Sequence, residues 1–396
     1  MESIVLYTEE IDDLQEAVRE IFEQAEGFLL KKNSLAILFT EDETDYPELY
    51  NLLAEKWKFP VVGCTAMAML LGKQGYCGTG ISVLLLTADD CEFAAGITDD
   101  LNKGNYERLI GDKLEELKAG LSSEIKLVIS YGGMVTDEQN VAGDDIVAAI
   151  DKASGGVPLF GGLAADGFNF NRFRVFCNGT VKQSGQVMVL VAGNIEPKFV
   201  YANSVENRAS FFYEVTESRS NQVIRLGNGT FMDALKREDM QVSKTDVLGD
   251  YILSPFVLTI HQPNGDSVEV ARNLSVLNQE TGAGCFLGAV PEGSTLSIGI
   301  INRSDVQKSV NLSFDKILNE IREHGYKTLL CTSCCARFLA LASNINAEVE
   351  AYTGRVPEGV SLAGLYSYGE YCPVRGNKTG ELYNMFHNFT FTILAI

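Results

Sequence analysis

One order of elements recurs three times along this chain, and it limits the available folds more than any single motif does. The order is strand, helix, buried strand, helix, glycine-bearing strand, closing strand. In the first copy a strand at 4–7 leads into a helix with Ile11, Leu14, Val18, Phe22, Ala25 and Leu29 on one face. Strand 35–39, helix 46–56, glycine strand 61–69 and closing strand 81–87 complete it. The second copy has strand 93–97, then a helix carrying Tyr106, Ile110, Leu114, Leu117 and Leu121. Strand 127–131, helix 143–153 and glycine strand 157–167 follow, and residues 174–177 and 187–192 read as the arms of a hairpin turning at Asn178-Gly179. The third copy takes strand 296–301, a helix with Val306, Val310, Phe314, Ile317 and Ile321, and strand 328–331. Its second helix carries Phe338, Leu341, Ala342, Ile345 and Val349, ahead of glycine strand 362–370 and closing strand 387–396. The stretch between copies two and three reads as strands and turns, at 211–215, 223–226, 256–261 and 268–271. The pattern predicts an α/β protein of mixed sheets flanked by helices. It is built from three pseudo-repeats of β-α-β-α-β-β, with a β-rich insertion between the second and third. The expected division is 1–205, holding two pseudo-repeats, and 206–396, holding the β-rich segment and the third.

Charge and cysteine content narrow the function classes. A net charge of −21 argues against nucleic acid and anionic lipid as partners, since both need a basic face. No run of about 18 apolar residues is present, so no membrane insertion is expected. The opening MESIVLYTEEIDD is acidic and lacks the basic start of a secretory signal. With no such signal, the nine cysteines read as reduced thiols, and the expected location is cytoplasmic. The first and last strands reach nearly to the chain ends, so any signalling output is expected in trans, through an acidic or apolar surface.

Aligning the three glycine strands on Gly63, Gly161 and Gly364 brings unlike residues to equivalent places. Five and six positions on stand Ala68-Met69, Asp166-Gly167 and Gly369-Glu370. Such asymmetry suits one polar pocket rather than three, set where the glycine strands end. The residues chosen to form it are Gly161, Gly162, Asp166, Arg337, Gly369, Glu370, His387 and Asn388. Asp166 and Glu370 read either as exposed strand-end carboxylates or as groups gripping an amine or orienting a neighbour. Gly161-Gly162 permits close backbone approach. GGLAADG is not a dinucleotide fingerprint, because no glycine fits the third position and no helix follows. His387, between Met385 and Phe389, reads as a core histidine, a ligand contact or a haem ligand. No metal site is expected, since His261 and His324 stand in unrelated contexts and no paired CxxC knuckle or HExxH occurs.

Cys331-Thr332-Ser333-Cys334-Cys335 follows a buried strand and opens a helix, and a helix N-terminus lowers a thiol's pKa. A thiol–disulfide enzyme using Cys331 and Cys334 is therefore one reading, and structural thiols are the other. Arg337, one turn on, reads as a contact for an anionic group or as a solvated cation. No nucleophile elbow, Walker loop, kinase signature or acid/base pair is present, which points away from an enzyme.

Several of these segments together resemble the FIST family, a bacterial sensory module of N-terminal and C-terminal domains. VVGCTA at 61–66 is similar to the family's Gly-Cys-Ser strand, and PLFGGLAADGF with RFRVFCNGTVKQSGQVMVLVAG resembles its central glycine motif and hairpin. PEGSTLSIGI at 291–300, SCCAR at 333–337, GLYSYGEYCPV and FHNFTF match the C-terminal half. Where the family's first glycine strand continues into Gly-Glu, this chain has Ala68-Met69. The resemblance implies sensing of a small molecule, such as an amino acid or related metabolite. No obligatory cofactor follows from it, although some members are linked to haem and nitric oxide. It also implies output through a histidine kinase, a cyclic-di-GMP enzyme or a chemotaxis receptor.

Overall fold

Three six-stranded mixed sheets form the body, and all three follow one strand order. The computed structural model describes residues 1–135, 143–240 and 247–396. The first sheet runs Glu2–Thr8, Ile81–Ala88, Asn33–Thr40, Val61–Thr65, Val175–Cys177, Thr180–Lys182. The second runs Cys91–Ile97, Gln186–Gly193, Ile125–Gly132, Leu159–Leu163, Glu370–Arg375, Leu382–His387. The third runs Lys198–Ala202, Phe391–Ala395, Thr328–Cys334, Ser361–Ser367, Met69–Leu71, Gly75–Cys77. In each sheet the glycine strand has one parallel neighbour, and every other pairing is antiparallel.

The last two strands of each sheet are a hairpin supplied by another copy. The hairpin that follows the first glycine strand closes the third sheet. The one after the second closes the first sheet, and the one after the third closes the second. Glycine is required where this exchange is tightest. Gly63, Gly161 and Gly364 stand opposite Leu38, Ser130 and Cys331 in the parallel register. A Cβ on them would lie 1.9, 1.9 and 2.3 Å from those residues' carbonyl oxygens. The alignment made on sequence therefore picks out one structural position, where two strands approach too closely for any side chain.

Helices cover the sheets because both sheet faces are apolar. In Asn33–Thr40, Leu35, Ile37 and Phe39 face the central core, while Ala36 and Leu38 face the helices Leu14–Gln24 and Tyr46–Leu53. Asp13 caps the first helix by accepting from the N–H groups of Gln15 and Glu16. Tyr106–Lys118 and Gly143–Ser154 cover the second sheet. The long helix Arg303–His324 covers the third, opened by an Asn302/Asp305 capping box and closed by left-handed Gly325. No helix among the described residues is long and apolar enough to cross a membrane.

The β-rich insertion enters after Lys198–Ala202. Its sheet runs Ser267–Arg272, Phe256–His261, Thr295–Ile300, Asn207–Arg219, Gln222–Leu226, Gly284–Phe286, Leu274–Leu277. It has its own core around Phe211, Phe231, Phe256 and Phe286. Arg272 clamps it to the body. This wholly buried guanidinium donates to the carbonyls of Ala271, Ala289 and Phe386, and to Asp144 at 2.6 Å.

Four local expectations change. The strand expected at 296–301 to open the third copy lies inside the insertion, and Lys198–Ala202 holds that edge instead. The Asn178-Gly179 turn joins Val175–Cys177 to Thr180–Lys182, whereas the strand at 187–192 sits inside the second sheet. The third copy's second helix is two short ones, Cys335–Leu341 and Ala347–Glu350, broken where Ala342 has φ of 52°. His387 ends the hairpin strand of the second sheet and is not part of the closing strand, because Phe389 turns left-handed (φ 57°) and passes the chain to the third sheet.

Candidate functional site

Between body and insertion lies a cleft of about 260 Å³. Its floor is made where strands of the second and third sheets end, at Gly133, Leu163, Cys334 and Tyr368. Gly143 and Ile146 at a helix start, and Cys335, Ala336 and Leu339 of the short helix, form its sides. The insertion supplies Ser220, Asn221, Leu248, Ser275, Phe286 and Leu287. Phe168 and Phe170 complete the wall. The cleft thus sits where the second and third glycine strands end. None of the eight residues chosen from the sequence lines it, however.

Two of those eight stand directly behind its walls. Asp166 is 2% exposed and its carboxylate accepts from the backbone N–H groups of Phe170, Asn171, Arg172 and Phe173. The Tyr368 hydroxyl donates to it at 2.5 Å. Burial pushes this carboxyl up, but the Tyr368 hydroxyl and the N–H donors outweigh it and hold the group below its ordinary value. With five donors it has no role left as a ligand grip. Instead it folds the loop that carries Phe168 and Phe170, both left-handed at φ of 68° and 58°. Phe170 stacks on Tyr368 with centroids 4.7 Å apart and planes 19° apart. The phenol is pushed far up by burial and by the Asp166 carboxylate beside it, so Tyr368 stays neutral.

Glu370 lies behind Cys334. It is fully buried and accepts from Ser367 at 3.0 Å and Thr390 at 2.7 Å, with the Cys334 thiol as a further donor. Burial outweighs these bonds and raises its pKa to about 8, so near neutral pH it is mostly a carboxylic acid. Gly369 is kept small by Phe386, whose ring would lie 2.3 Å from a Cβ there. Gly162 packs against the Gly369 carbonyl, and Gly161 against that of Ser130.

The thiols do not behave as a redox pair. Cys331 and Cys334 both lie in the strand Thr328–Cys334, three positions apart, so their side chains leave opposite faces about 10 Å apart along the strand. That is beyond disulfide reach. Burial pushes both thiols up, with the carboxyl groups of Glu348 and Glu370 adding to the effect. The expected lowering at a helix start is overridden by desolvation. All nine cysteines are unpaired.

Arg337 is turned away from the cleft and fully engaged. Its guanidinium pairs with Glu348 at 2.6 Å and donates to Ser204, Ser309 and the Val306 carbonyl. Ser333 and Tyr366 complete the Glu348 carboxylate, so this buried ion pair is internally satisfied. His387 is wholly buried, and Nε2 lies 2.9 Å from the Cys372 carbonyl. Burial lowers its pKa to about 4, so the ring is neutral. Asn388 donates to the His387 carbonyl, and its side-chain oxygen has no partner. The geometry does not fit a haem. His387 is sealed in the core, and the cleft wall carries no histidine among the described residues. Glu320, Glu323 and His324 cluster on one helix, but the cluster is mostly exposed and none of the three lines the cleft.

The aromatic wall is the part of the site that sequence reasoning missed. Its signal was present in Gly167-Phe168-Asn169-Phe170, where two aromatics alternate with polar residues in a segment too irregular for a strand. The insertion's contribution had no comparable mark.

The FIST N domain model matches residues 34–228, and the FIST C domain model matches residues 233–373. A search of curated proteins found no relative. Among solved structures, a cyanuric acid hydrolase from A. caulinodans aligns over 100% of this chain and 98% of its own, at 7% identity and a TM-score of 0.37. A likeness that weak carries no argument about fold or activity.

Proposed function

The chain belongs to the FIST family, whose domains are associated with sensory signal transduction, and we propose that it is a non-catalytic sensory module that takes up a small molecule in this cleft. The observation that carries the reading is the cleft itself. It is mostly apolar and aromatic, carries a few hydroxyl and amide groups, and is shared between two bodies of the molecule with separate cores. A ligand touching both walls favours one arrangement of insertion against body, which is what a signal needs. The Arg272–Asp144 clamp, beside Gly143 on the cleft's edge, is where such a change passes from the insertion to the body. The output partner is a signalling protein, such as a histidine kinase, a cyclic-di-GMP enzyme or a chemotaxis receptor.

The test is a thermal-shift screen of amino acids and related metabolites, with Phe170→Ala as the site control. A true ligand at a hundred times its Kd adds about 2.7 kcal/mol of stability, and the variant abolishes that shift. A hit that shifts the variant equally places the site elsewhere. A hydrolase or transferase activity lost on changing one cleft residue ends the non-catalytic reading.

A further inference from the structure

Resting on the cleft as the ligand site, we infer that its ligand is a neutral, flat molecule of one or two fused rings, stacked against the Phe170–Tyr368 pair, and not a zwitterionic amino acid. The first argument is the way the wall is fixed. Phe170 is 43% exposed, yet its loop is held by four backbone bonds to one buried carboxylate. Two non-glycine residues, Phe168 and Phe170, are held in left-handed conformations that L side chains adopt only under strain. A loop that only had to avoid solvent would turn an aromatic ring inward and avoid that strain. This one holds a ring open to the cleft at a set angle.

The second argument is the chemistry left free. The Tyr368 hydroxyl donates to Asp166 and accepts from the Phe168 N–H at 2.7 Å, so the residue presents its ring rather than its polar tip. The ionisable groups close behind the wall are occupied. Asp166 has five donors, Glu370 is bonded to Ser367 and Thr390, and Arg272 is spent on Asp144 and three carbonyls. Among the described residues, the lining holds no Asp, Glu, Lys, Arg or His. A carboxylate or ammonium entering there meets no charged partner, among the described residues, to replace the water it loses. On the insertion's wall the Asn221 amide donates to the Phe286 carbonyl and the Ser275 hydroxyl to the Cys285 carbonyl, so their oxygens, with the Ser220 hydroxyl, are what can meet the edge heteroatom of a neutral ring.

The third argument is size. A cavity of about 150 Å³ lined by apolar side chains binds benzene. A cleft of about 260 Å³ has room for a bicyclic ring.

The experiment is isothermal titration of the full chain with indole and quinoline, beside L-tryptophan and tryptamine as charged compounds bearing the same ring. Indole or quinoline is expected to bind one-to-one, at least tenfold more tightly than either charged compound. Phe170→Ala and the cleft-filling Leu339→Trp are each expected to weaken it tenfold or more, with circular dichroism confirming that both variants are folded. If L-tryptophan or tryptamine binds as well as indole and is equally sensitive to Phe170→Ala, the cleft reading stands and the neutral-ring inference is overturned. If indole binds but ignores both variants, both readings fail. If neither neutral ring binds, the inference is wrong, and a Phe170-sensitive hit from the metabolite screen would show that the cleft reading survives it.

Discussion

The ends of two glycine strands meet the same problem, a carboxylate under the surface, and solve it in opposite ways. Asp166 is surrounded by backbone N–H groups and a phenol, and stays ionised. Glu370 is bonded to two alcohols and a thiol in a drier place, and is pushed to about 8. Both are nearly inaccessible, so exposure does not separate them. The number and kind of donors do. Four N–H groups from one loop replace the hydration of an anion, whereas hydroxyls that also have other bonds to make do not. The first carboxylate is a device for shaping a loop, and the second is a proton store behind a cleft wall.

Removing the better-solvated carboxylate is expected to have the largest effect. Asp166→Ala strips the 167–173 loop of its hub and should cost about 4 kcal/mol in urea unfolding, together with all Phe170-dependent binding. A loss below about 1 kcal/mol would mean that the loop holds itself. Glu370→Gln tests the other side. Its folded pKa of about 8 stands above the ordinary 4.5, so its contribution is full below pH 4.5 and is lost as pH rises through 8. The wild type should therefore lose stability across that window, and the glutamine variant should not. The gap between them should change by several kcal/mol in the variant's favour by pH 9. Parallel curves would show that Glu370 titrates normally. The mildest change is Tyr368→Phe, which keeps the ring and removes one donor from Asp166. It should cost about 1 kcal/mol and raise the Asp166 pKa as followed by NMR, with ring binding retained.

Much of this was legible in the chain because close backbone approach leaves a mark that survives tertiary packing. Gly63, Gly161 and Gly364 were aligned correctly since no side chain fits opposite Leu38, Ser130 and Cys331. Asp166 and Glu370 stood out because nothing apolar explains a carboxylate there. What periodicity does not encode is which sheet a strand joins. Lys198–Ala202 and Thr295–Ile300 are both short and β-prone, and only assembly assigns one to the body and the other to the insertion. The reading of Cys331 and Cys334 failed on the same ground. A spacing that shares a face on a helix splits across two faces on a strand. Arg337 and His387 were placed at the site for their chemical types, but bonds to Glu348 and the Cys372 carbonyl, both fixed by tertiary structure, remove them from it.

The exchange of hairpins has a consequence for how the chain emerges from synthesis. The first sheet has all its strands once residue 182 is made, whereas the other two wait for strands beyond residue 360. The strand Met69–Leu71 must remain unpaired with its final neighbour, Ser361–Ser367, while most of the protein is assembled. Until then the second and third sheets present open edges, the surfaces on which nascent chains pair wrongly. Synthesis that stopped late in this message would leave most of the residues in place but, beside the insertion's own sheet, only one finished sheet of the body's three.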